Sequence, residues 1–370
     1  MTDRFDVAVI GGGMVGSAIA LGCARLGART ALLDEGDVAL RAARGNFGLI
    51  WSQGKGDGMP AYAAWTRESL RRWDCFAESL CAAAGCDIGY RRSGGLIFAL
   101  GEEEWAQRQE DVRRLHNQEG GPSTPVRLLD RRALEELLPG TPLGPRVFGA
   151  SLAPEDGHVN PLLLLRGMHT AFRALGGEHR PGPAVTAVRP GFTVCRGEER
   201  IAADRVVIAA GLGTPKLAAM LGMQVSVHPV RGQNIVTERL PPLLPLPASA
   251  IRQTAEGVVQ IGVSYEENLW ETATTVTELA RMAARAVQVL PPLACARVVR
   301  AWGALRPMTP DRYPIYAQSR VNPGAYVAVC HSGVTLAAAH AGPLAEGILS
   351  GRLPDSVAAF RPERFLADAA

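Results

Sequence analysis

A glycine-rich turn near the N-terminus constrains the fold of this chain more than any other feature. Residues 5–10 (FDVAVI) predict a short buried strand, and residues 11–16 (GGGMVG) fit the spacing G-x-G-x-x-G. A helix-like run, SAIALGCARLG, follows, and RTALLDEG predicts a second strand that ends at Asp34. A strand, a glycine turn, a helix and a strand with an acidic end predict a βαβ unit that binds a dinucleotide.

Each glycine of the turn has a physical task in such a unit. Gly11 allows the tight turn, Gly13 lets the backbone approach a pyrophosphate, and Gly16 lets the helix pack closely on the strand. The helix that opens at Met14 and Val15 offers free N–H groups and a partial positive charge to the phosphates. This segment is therefore the predicted pyrophosphate site.

The acidic end of the second strand indicates the sugar of the ligand. Asp34, with Glu35 beside it, can accept hydrogen bonds from an adenosine ribose, which favours a ribose without a 2′-phosphate. FAD and NAD both satisfy this condition.

Later segments favour FAD. Residues 44–48 (RGNFG) form a loop where an NAD dehydrogenase would usually continue into a helix, and such a loop can lie against a phosphate or a flat ring. A strand ends at Ala210 and Gly211, and a C-terminal strand leads through Gly333 into a predicted long helix starting near Val334. The N-terminus of that helix would suit the electron-rich edge of a flavin.

Composition excludes several classes of protein. The formal charge is +3 in 370 residues, and no basic run carries interleaved aromatics, so nucleic-acid binding is not expected. The seven histidines show no metal-ligand spacing, and no metal is expected. The N-terminal apolar stretch is interrupted by glycines, and no other stretch reaches the ~18 apolar residues of a membrane span. We expect a soluble cytoplasmic protein without a transmembrane segment.

Taken together, these segments resemble the D-amino-acid oxidase-like family of FAD-dependent oxidoreductases over almost the whole chain. The resemblance is carried by VIGGGMVG, LLDEG, ARGNFG, DGHVNP, DRVVIAAG, HPVRGQ, WGALRPMTPDRYPI and CHSGVTLAAAH. Within the family, RGNFGLIWSQGKG and HSGVTLAAAH look most like the β subunit of D-hydroxyproline dehydrogenase, opine oxidase and hydrogen cyanide synthase.

The resemblance implies an α/β (overall α+β) fold with two interleaved domains, as in glycine and sarcosine oxidases. A Rossmann-like FAD-binding domain would comprise residues 1–85, 145–220 and 300–370. A β-sheet substrate domain would comprise residues 86–144 and 221–299 and lie over the flavin.

The resemblance also assigns residues to the cofactor. The implied FAD contacts are Gly11, Gly13, Met14, Val15, Gly16, Asp34, Glu35, Arg44, Gly45, Asn46, Gly48, Val185, Ala210, Gly211, Gly333, Val334 and Thr335. Ala304 stands where monomeric sarcosine oxidases carry the cysteine that links covalently to FAD. Noncovalent FAD is therefore expected.

Arg306 matches the arginine that grips the substrate carboxylate in this family. A guanidinium makes two parallel bonds to a carboxylate, which a lysine cannot reproduce. Arg252 is a second candidate for the same pocket, and His331 is expected near the flavin. The implied reaction takes a neutral amine, passes the Cα hydrogen as a hydride to flavin N5, and leaves an imine.

Three functions remain open at this point. The first is an FAD-dependent dehydrogenase of a small amino or imino acid (D-amino acid, D-hydroxyproline or opine type), alone or with α and γ electron-transfer subunits. The second is an oxidase that releases hydrogen peroxide; Gln260 stands where sarcosine oxidases place an oxygen-activating lysine, which favours the dehydrogenase. The third is a noncatalytic flavin-binding electron-transfer subunit, against which the retained Arg306 argues.

Overall fold

The computed structural model describes residues 4–36, 42–123 and 125–365. Its strands are β1 (Arg4–Ile10), β2 (Thr30–Asp34), β3 (Leu49–Ile50), β4 (Gly95–Leu100), β5 (Arg127–Asp130), β6 (Val147–Ala153), β7 (Gly157–His158), β8 (Glu178–Pro181), β9 (Ala187–Arg189), β10 (Thr193–Arg196), β11 (Glu199–Ile208), β12 (His228–Arg239), β13 (Ile251–Gln253), β14 (Val258–Gly262), β15 (Glu266–Glu267), β16 (Val298–Met308), β17 (Ile315–Gln318) and β18 (Ala325–Val329).

The α-helices come between these strands in a largely alternating order. They are α1 (Met14–Arg25), α2 (Pro60–Ala84), α3 (Glu102–Asn117), α4 (Arg131–Leu137), α5 (Pro161–Ala174), α6 (Thr214–Ala219), α7 (Val276–Val289), α8 (Ala337–Ala339) and α9 (Ala345–Ser350). Within the described ranges, no helix is both long enough and apolar enough to cross a membrane.

The first sheet is built around β1. Its order is β17-β18-β11-β1-β2-β8, and β18, β11, β1, β2 and β8 run parallel. Val7 and Val9 of β1 pack into a core on one face of the sheet with α1, whereas Ala8 and Ile10 pack into a second core on the other face. Burial on both faces explains why residues 7–10 of the strand are a continuous apolar run instead of alternating with polar residues. The predicted α/β fold class is confirmed by this layer.

Two further sheets form the other half of the molecule. In one, β12 pairs with β14, β15 and β16; in the other, β6 lies between β4 and β5. Both sheets share one apolar core with α7, to which Phe98, Leu152 and Ile261 contribute. The second half is therefore a β-sheet layer covered by a helix.

Sheet pairing shifts two of the expected domain boundaries. The boundary at residue 300 falls inside β16, whose residues pair with β12 from His228↔Met308 to Thr237↔Val298. Residues 147–153, expected in the FAD-binding half, form β6 and pack into the core of the second half. A strand pattern in the sequence does not specify which sheet the strand joins, because tertiary pairing decides that.

The C-terminal helix also differs from the expectation of one long helix starting near Val334. Residues 333–336 form a turn, and α8 begins only at Ala337. The helix is then interrupted between α8 and α9, where Gly342 leaves helical geometry (φ −108°, ψ −109°) and Pro343 follows. Proline lacks the N–H that would continue the helical hydrogen-bond ladder, which accounts for the break.

Candidate active site

The glycines of the turn have two different roles: some allow close packing of the backbone, and one leaves room for a ligand. A Cβ added to Gly11 would lie 2.3 Å from the carbonyl oxygen of Ala209, and one added to Gly16 would lie 1.9 Å from that of Gly11. A Cβ added to Gly13 meets nothing nearer than the Ala43 Cβ at 3.8 Å. Gly11 and Gly16 are therefore required by the fold, whereas Gly13 faces an open cavity.

That cavity extends along the carboxyl ends of the parallel strands. Most of the predicted cofactor contacts line it: Gly11, Gly13, Met14, Val15, Asp34, Glu35, Asn46, Val185, Ala210, Gly211 and Gly333. Ligands of open α/β sheets bind at this edge, where the helix N-termini point. The shape and position fit the adenosine and pyrophosphate of FAD.

Three of the predicted contacts line neither this cavity nor the second one described below. Gly16 packs against the glycine turn, as described above. Arg44 lines a neighbouring recess on the other side of Asp34. A Cβ on Gly48 would meet the Val159 carbonyl at 2.3 Å, so Gly48 serves the packing of its loop.

A second cavity continues from the first, since Ala42, Asn46 and His331 line both. It lies between the loop that follows β2 and the face of β12 and β16. Its walls include Gly45, Phe47, Trp51, Lys55, Asn234, Ala304, Arg306, Ser332, Val334 and Thr335. The continuous space suits a ligand with a dinucleotide at one end and a flat ring at the other.

The turn at residues 333–335 is fixed by buried donors from a helix and a loop. The Thr335 carbonyl accepts hydrogen bonds from Ser69 Oγ at 2.7 Å and from Trp73 Nε1 at 2.9 Å, both on α2. Its hydroxyl oxygen accepts the backbone N–H of Trp51 at 3.2 Å. Val334 and Thr335 are thereby held at the wall of the second cavity.

Arg306 projects from β16 into this cavity. Its Nη1 donates to the carbonyl of Ser264 at 3.1 Å, and a Cβ on Gly232 would lie 2.2 Å from its Nη2. No ion pair of Arg306 occurs in the described part of the chain. Burial lowers the pKa of the guanidinium, which nevertheless remains charged at neutral pH because arginine begins far above it. Arg306 can therefore receive a carboxylate from the cavity.

Arg252 does not belong to this cavity, contrary to the expectation. Its Nε and Nη2 donate to Gln260 Oε1 at 3.1 and 2.7 Å, and its Nη1 lies 3.3 Å from His158 Nδ1. The guanidinium lies 5.8 Å from the centre of the Phe47 ring and lines a different recess. Arg252 thus supports the cavity wall from behind, a location that no sequence pattern indicated.

Gln260 likewise lies behind the wall. It accepts the bonds of Arg252 and donates through Nε2 to Asn234 Oδ1 at 3.3 Å. Asn234 in turn donates to the carbonyl of Gly45 at 3.2 Å. The residue expected to occupy the oxygen-activating position therefore positions Asn234 instead.

His331 belongs to a polar cluster with Lys55, Ser332 and Tyr62. Lys55 Nζ donates to Ser332 Oγ at 2.5 Å and lies 3.4 Å from His331 Nε2. Tyr62 donates to the same hydroxyl at 2.8 Å, and Ser332 Oγ lies 3.2 Å from His331 Nε2. Burial and nearby positive charges hold the pKa of His331 well below its usual value, so its imidazole is neutral.

Lys55 was missed by the sequence reasoning. Burial lowers the pKa of its ammonium to about 8, although the residue retains exposed surface facing the cavity. A signal was available in the composition: of 39 basic residues only two are lysines, Lys55 and Lys216. Both line the cavities described here.

A buried aspartate holds the loop that carries Lys55. Asp156 Oδ1 accepts the backbone N–H and the hydroxyl of Ser52, each at 2.6 Å, and Gln53 Nε2 donates to Oδ2 at 3.3 Å. Burial raises the pKa of Asp156 to about 6. The DGH segment of the sequence is thus a support for the cavity wall and not a part of the wall.

Comparison with known proteins identifies the family. Residues 6–346 match the family model described as FAD dependent oxidoreductase (DAO). The chain belongs to this family. Within the described residues of this family member, no group of three His, Cys, Asp or Glu side chains could hold a metal ion.

Individual relatives agree with this assignment. The chain is 39% identical over 368 residues to an opine oxidase subunit of Agrobacterium tumefaciens, covering 99% of both chains. It is 26% identical to the HcnC subunit of hydrogen cyanide synthase from Pseudomonas aeruginosa, covering 85% of each. Glycine oxidase from Geobacillus kaustophilus has the same fold, with a TM-score of 0.88, 24% identity and coverage of 97% and 98%. The predicted resemblance is confirmed by these matches.

Proposed function

We propose that the chain oxidises the CH–NH or CH–NH₂ bond of a small amino or imino acid, of D-amino acid, D-hydroxyproline or opine type, with FAD as acceptor. The observation that carries the proposal is Arg306, a cation without an ion pair in the described ranges, facing the cavity that continues from the dinucleotide site. The 39% identity to an opine oxidase subunit supports the imino acid alternative.

The chain's own residues bind and orient the substrate. Arg306 would fix the carboxylate with two parallel bonds, which turns the substrate carbon toward the flat end of the FAD site. Phe47 and Trp51 contribute apolar walls that exclude water. His331, neutral at physiological pH, can accept or donate one hydrogen bond to the amine. Bound FAD would accept the two electrons of the substrate Cα–H bond, and loss of a proton from nitrogen would leave a C=N bond.

A panel of amino acids tests this function. Under anaerobic conditions, D-, L- and N-substituted amino acids are added to the purified protein and the flavin absorbance is followed. We expect bleaching by at least one imino or D-amino acid. A flavin that no member of the panel reduces would identify the noncatalytic electron-transfer subunit instead.

We further propose that FAD is bound noncovalently. Ala304, at the wall of the second cavity, offers no nucleophile. Burial raises the pKa of the Cys330 thiol, which lines the first cavity, to about 12, and this keeps the thiol protonated. Acid precipitation is expected to release a yellow supernatant that mass spectrometry identifies as FAD. Flavin retained on the pellet, and mapped to Cys330 by peptide analysis, would contradict the proposal.

An oxygen-using oxidase remains the alternative for the second half-reaction. The absence of a lysine at Gln260 favoured a dehydrogenase, but Lys55 brings an ammonium group to the cavity from another segment. Oxygen consumption measured against dye reduction with the same substrate distinguishes the two. Purification with co-expressed candidate subunits tests assembly with electron-transfer partners, which the name of the opine oxidase relative supports.

A further inference from the structure

The groups that face Nε2 of His331 determine which of its two ring nitrogens carries the proton. Lys55 Nζ lies 3.4 Å from Nε2, and Ser332 Oγ lies 3.2 Å from it. The carboxylate of Asp156 acts on Lys55 and favours its charged form. An ammonium group has three donors and no acceptor, so Nε2 must present its lone pair to Lys55 and not a proton. The Nε2 side of the ring is therefore an acceptor.

The hydroxyl of Ser332 leads to the same tautomer. A serine hydroxyl has two lone pairs and one proton. Lys55 Nζ donates to Ser332 Oγ at 2.5 Å and the Tyr62 hydroxyl donates to it at 2.8 Å, so both lone pairs are occupied. The proton of Ser332 is then directed to His331 Nε2, the acceptor at 3.2 Å. Two neighbours thus place the ring proton of His331 on Nδ1.

The other ring nitrogen is available to a ligand. Burial and the charges of Lys55 and Arg306 hold the pKa of His331 well below its usual value, so the ring is neutral and donates at one nitrogen only. Within the described ranges of the chain, Nδ1 makes no hydrogen bond to another residue. His331 is partly exposed and, with Asn46, lines both cavities. It therefore offers one N–H donor where the first cavity continues into the second.

We propose that Lys55 and Ser332 hold His331 as its Nδ1–H tautomer, which donates a hydrogen bond to the cofactor where the two cavities meet. The cofactor is the favoured acceptor because it would span both cavities, whereas a small substrate held by Arg306 would occupy only the second. Between its pyrophosphate and its ring system FAD carries hydroxyl and carbonyl oxygens, which accept such a bond. The inference rests on the proposed function, and it assigns the one hydrogen bond of His331 to the cofactor instead of the amine.

Nitrogen NMR of the FAD-loaded protein, labelled at the histidine ring nitrogens, reads the tautomer directly. The His331 signals are identified by their absence from His331→Asn or, if that variant does not fold, as those that move in Ser332→Ala. We expect the wild-type ring to be protonated at Nδ1 and bare at Nε2. Lys55→Met removes a donor at Nε2 and should populate the Nε2–H tautomer, whereas Lys55→Arg keeps a donor-only cation and should retain the wild-type tautomer. His116, exposed on α3, is the internal control and should give the same signals in all of these proteins.

Flavin titration of the apoproteins tests the acceptor of this bond. An asparagine amide can place an N–H near the position of Nδ1, whereas the longer glutamine amide reaches the position of Nε2. We expect His331→Asn to bind FAD within about two-fold of wild type, and His331→Gln and His331→Ala to bind it about three- to ten-fold more weakly, as the loss of one hydrogen bond implies. Melting temperatures of the apoproteins verify that each variant is folded.

Three results would overturn the inference. The first is a wild-type His331 ring protonated at Nε2 or at both nitrogens, or a tautomer that does not change in Lys55→Met. The second is an equal loss of FAD affinity in all three His331 variants, which would show that the side chain only fills space. The third is unchanged FAD affinity in His331→Ala, which together with a raised KM would assign the donor to the substrate amine. If amino acids bleach the flavin and any of these results is found, the inference fails and the proposed function stands; if nothing bleaches it, the proposed function fails.

Discussion

Apoprotein of Gly13→Val is expected to bind FAD about ten- to a hundred-fold more weakly than wild type, or not at all, because steric overlap in a close-packed site typically costs about 1–3 kcal/mol. The reason is geometric. The added side chain enters the cavity on the side where the backbone must approach a pyrophosphate, and its Cβ meets no protein atom nearer than the Ala43 Cβ at 3.8 Å. The fold can therefore accept valine while the cofactor cannot. Flavin titration of the apoprotein measures the affinity.

The neighbouring glycine provides the contrasting variant. At Gly11 a Cβ would lie 2.3 Å from the Ala209 carbonyl, on a backbone with φ of +110°, so Gly11→Ala is expected to lower the melting temperature of the apoprotein. Gly13→Val should melt as wild-type apoprotein does. Full flavin occupancy in Gly13→Val would show that the pyrophosphate does not lie at this turn.

The second large effect is expected at Arg306. Arg306→Lys keeps the charge but loses one of two parallel bonds to the carboxylate, and kcat/KM should fall by about ten- to a hundred-fold with the best substrate of the panel. Arg306→Ala should cost more, because a partly dehydrated carboxylate would have no partner. FAD content should stay normal in both variants, because Arg306 does not line the first cavity, which would hold the adenosine and pyrophosphate.

Two further variants test whether the position of the guanidinium matters. Gly232→Ala does not change Arg306 itself but places a new Cβ 2.2 Å from the Arg306 Nη2. The Arg306 side chain must therefore shift, and kcat/KM should fall. Arg300→Lys, on the exposed part of the same strand, is the control and should resemble wild type.

If Arg306→Lys turns over the substrate at the wild-type rate, the carboxylate is held elsewhere. If Arg306→Lys loses FAD, Arg306 belongs to the cofactor site.

Local patterns in the sequence predicted the dinucleotide end of the molecule. The strand, glycine turn and helix at residues 5–25 follow one another directly, so their relative placement is set by short-range geometry. The positions of Gly13 and Asp34 in one cavity follow from that geometry. The motif also carried the family assignment, which the match over residues 6–346 confirms.

The second cavity depends on contacts between distant segments. Lys55, Arg306 and His331 come from three parts of the chain and meet only because the second sheet lies over the first. Arg252 and Gln260 were expected at the cavity and lie outside it. Both residues lie on strands beside the second cavity, but the hydrogen bonds between them hold their side chains behind Phe47 and Asn234.

The sequence by itself determined the βαβ unit, the α/β class, the family and the arginine that faces the cavity, because each depends on residues close together in the chain or on a motif read as a whole. Only the tertiary structure decided that β6 and β16 belong to the second half, that Arg252 lies outside the cavity and that Lys55 lies inside it. Strand pairing and side-chain direction are set by long-range packing. A residue far away in the chain therefore determines whether an arginine side chain faces the cavity, as Arg306 does, or a glutamine, as Arg252 does.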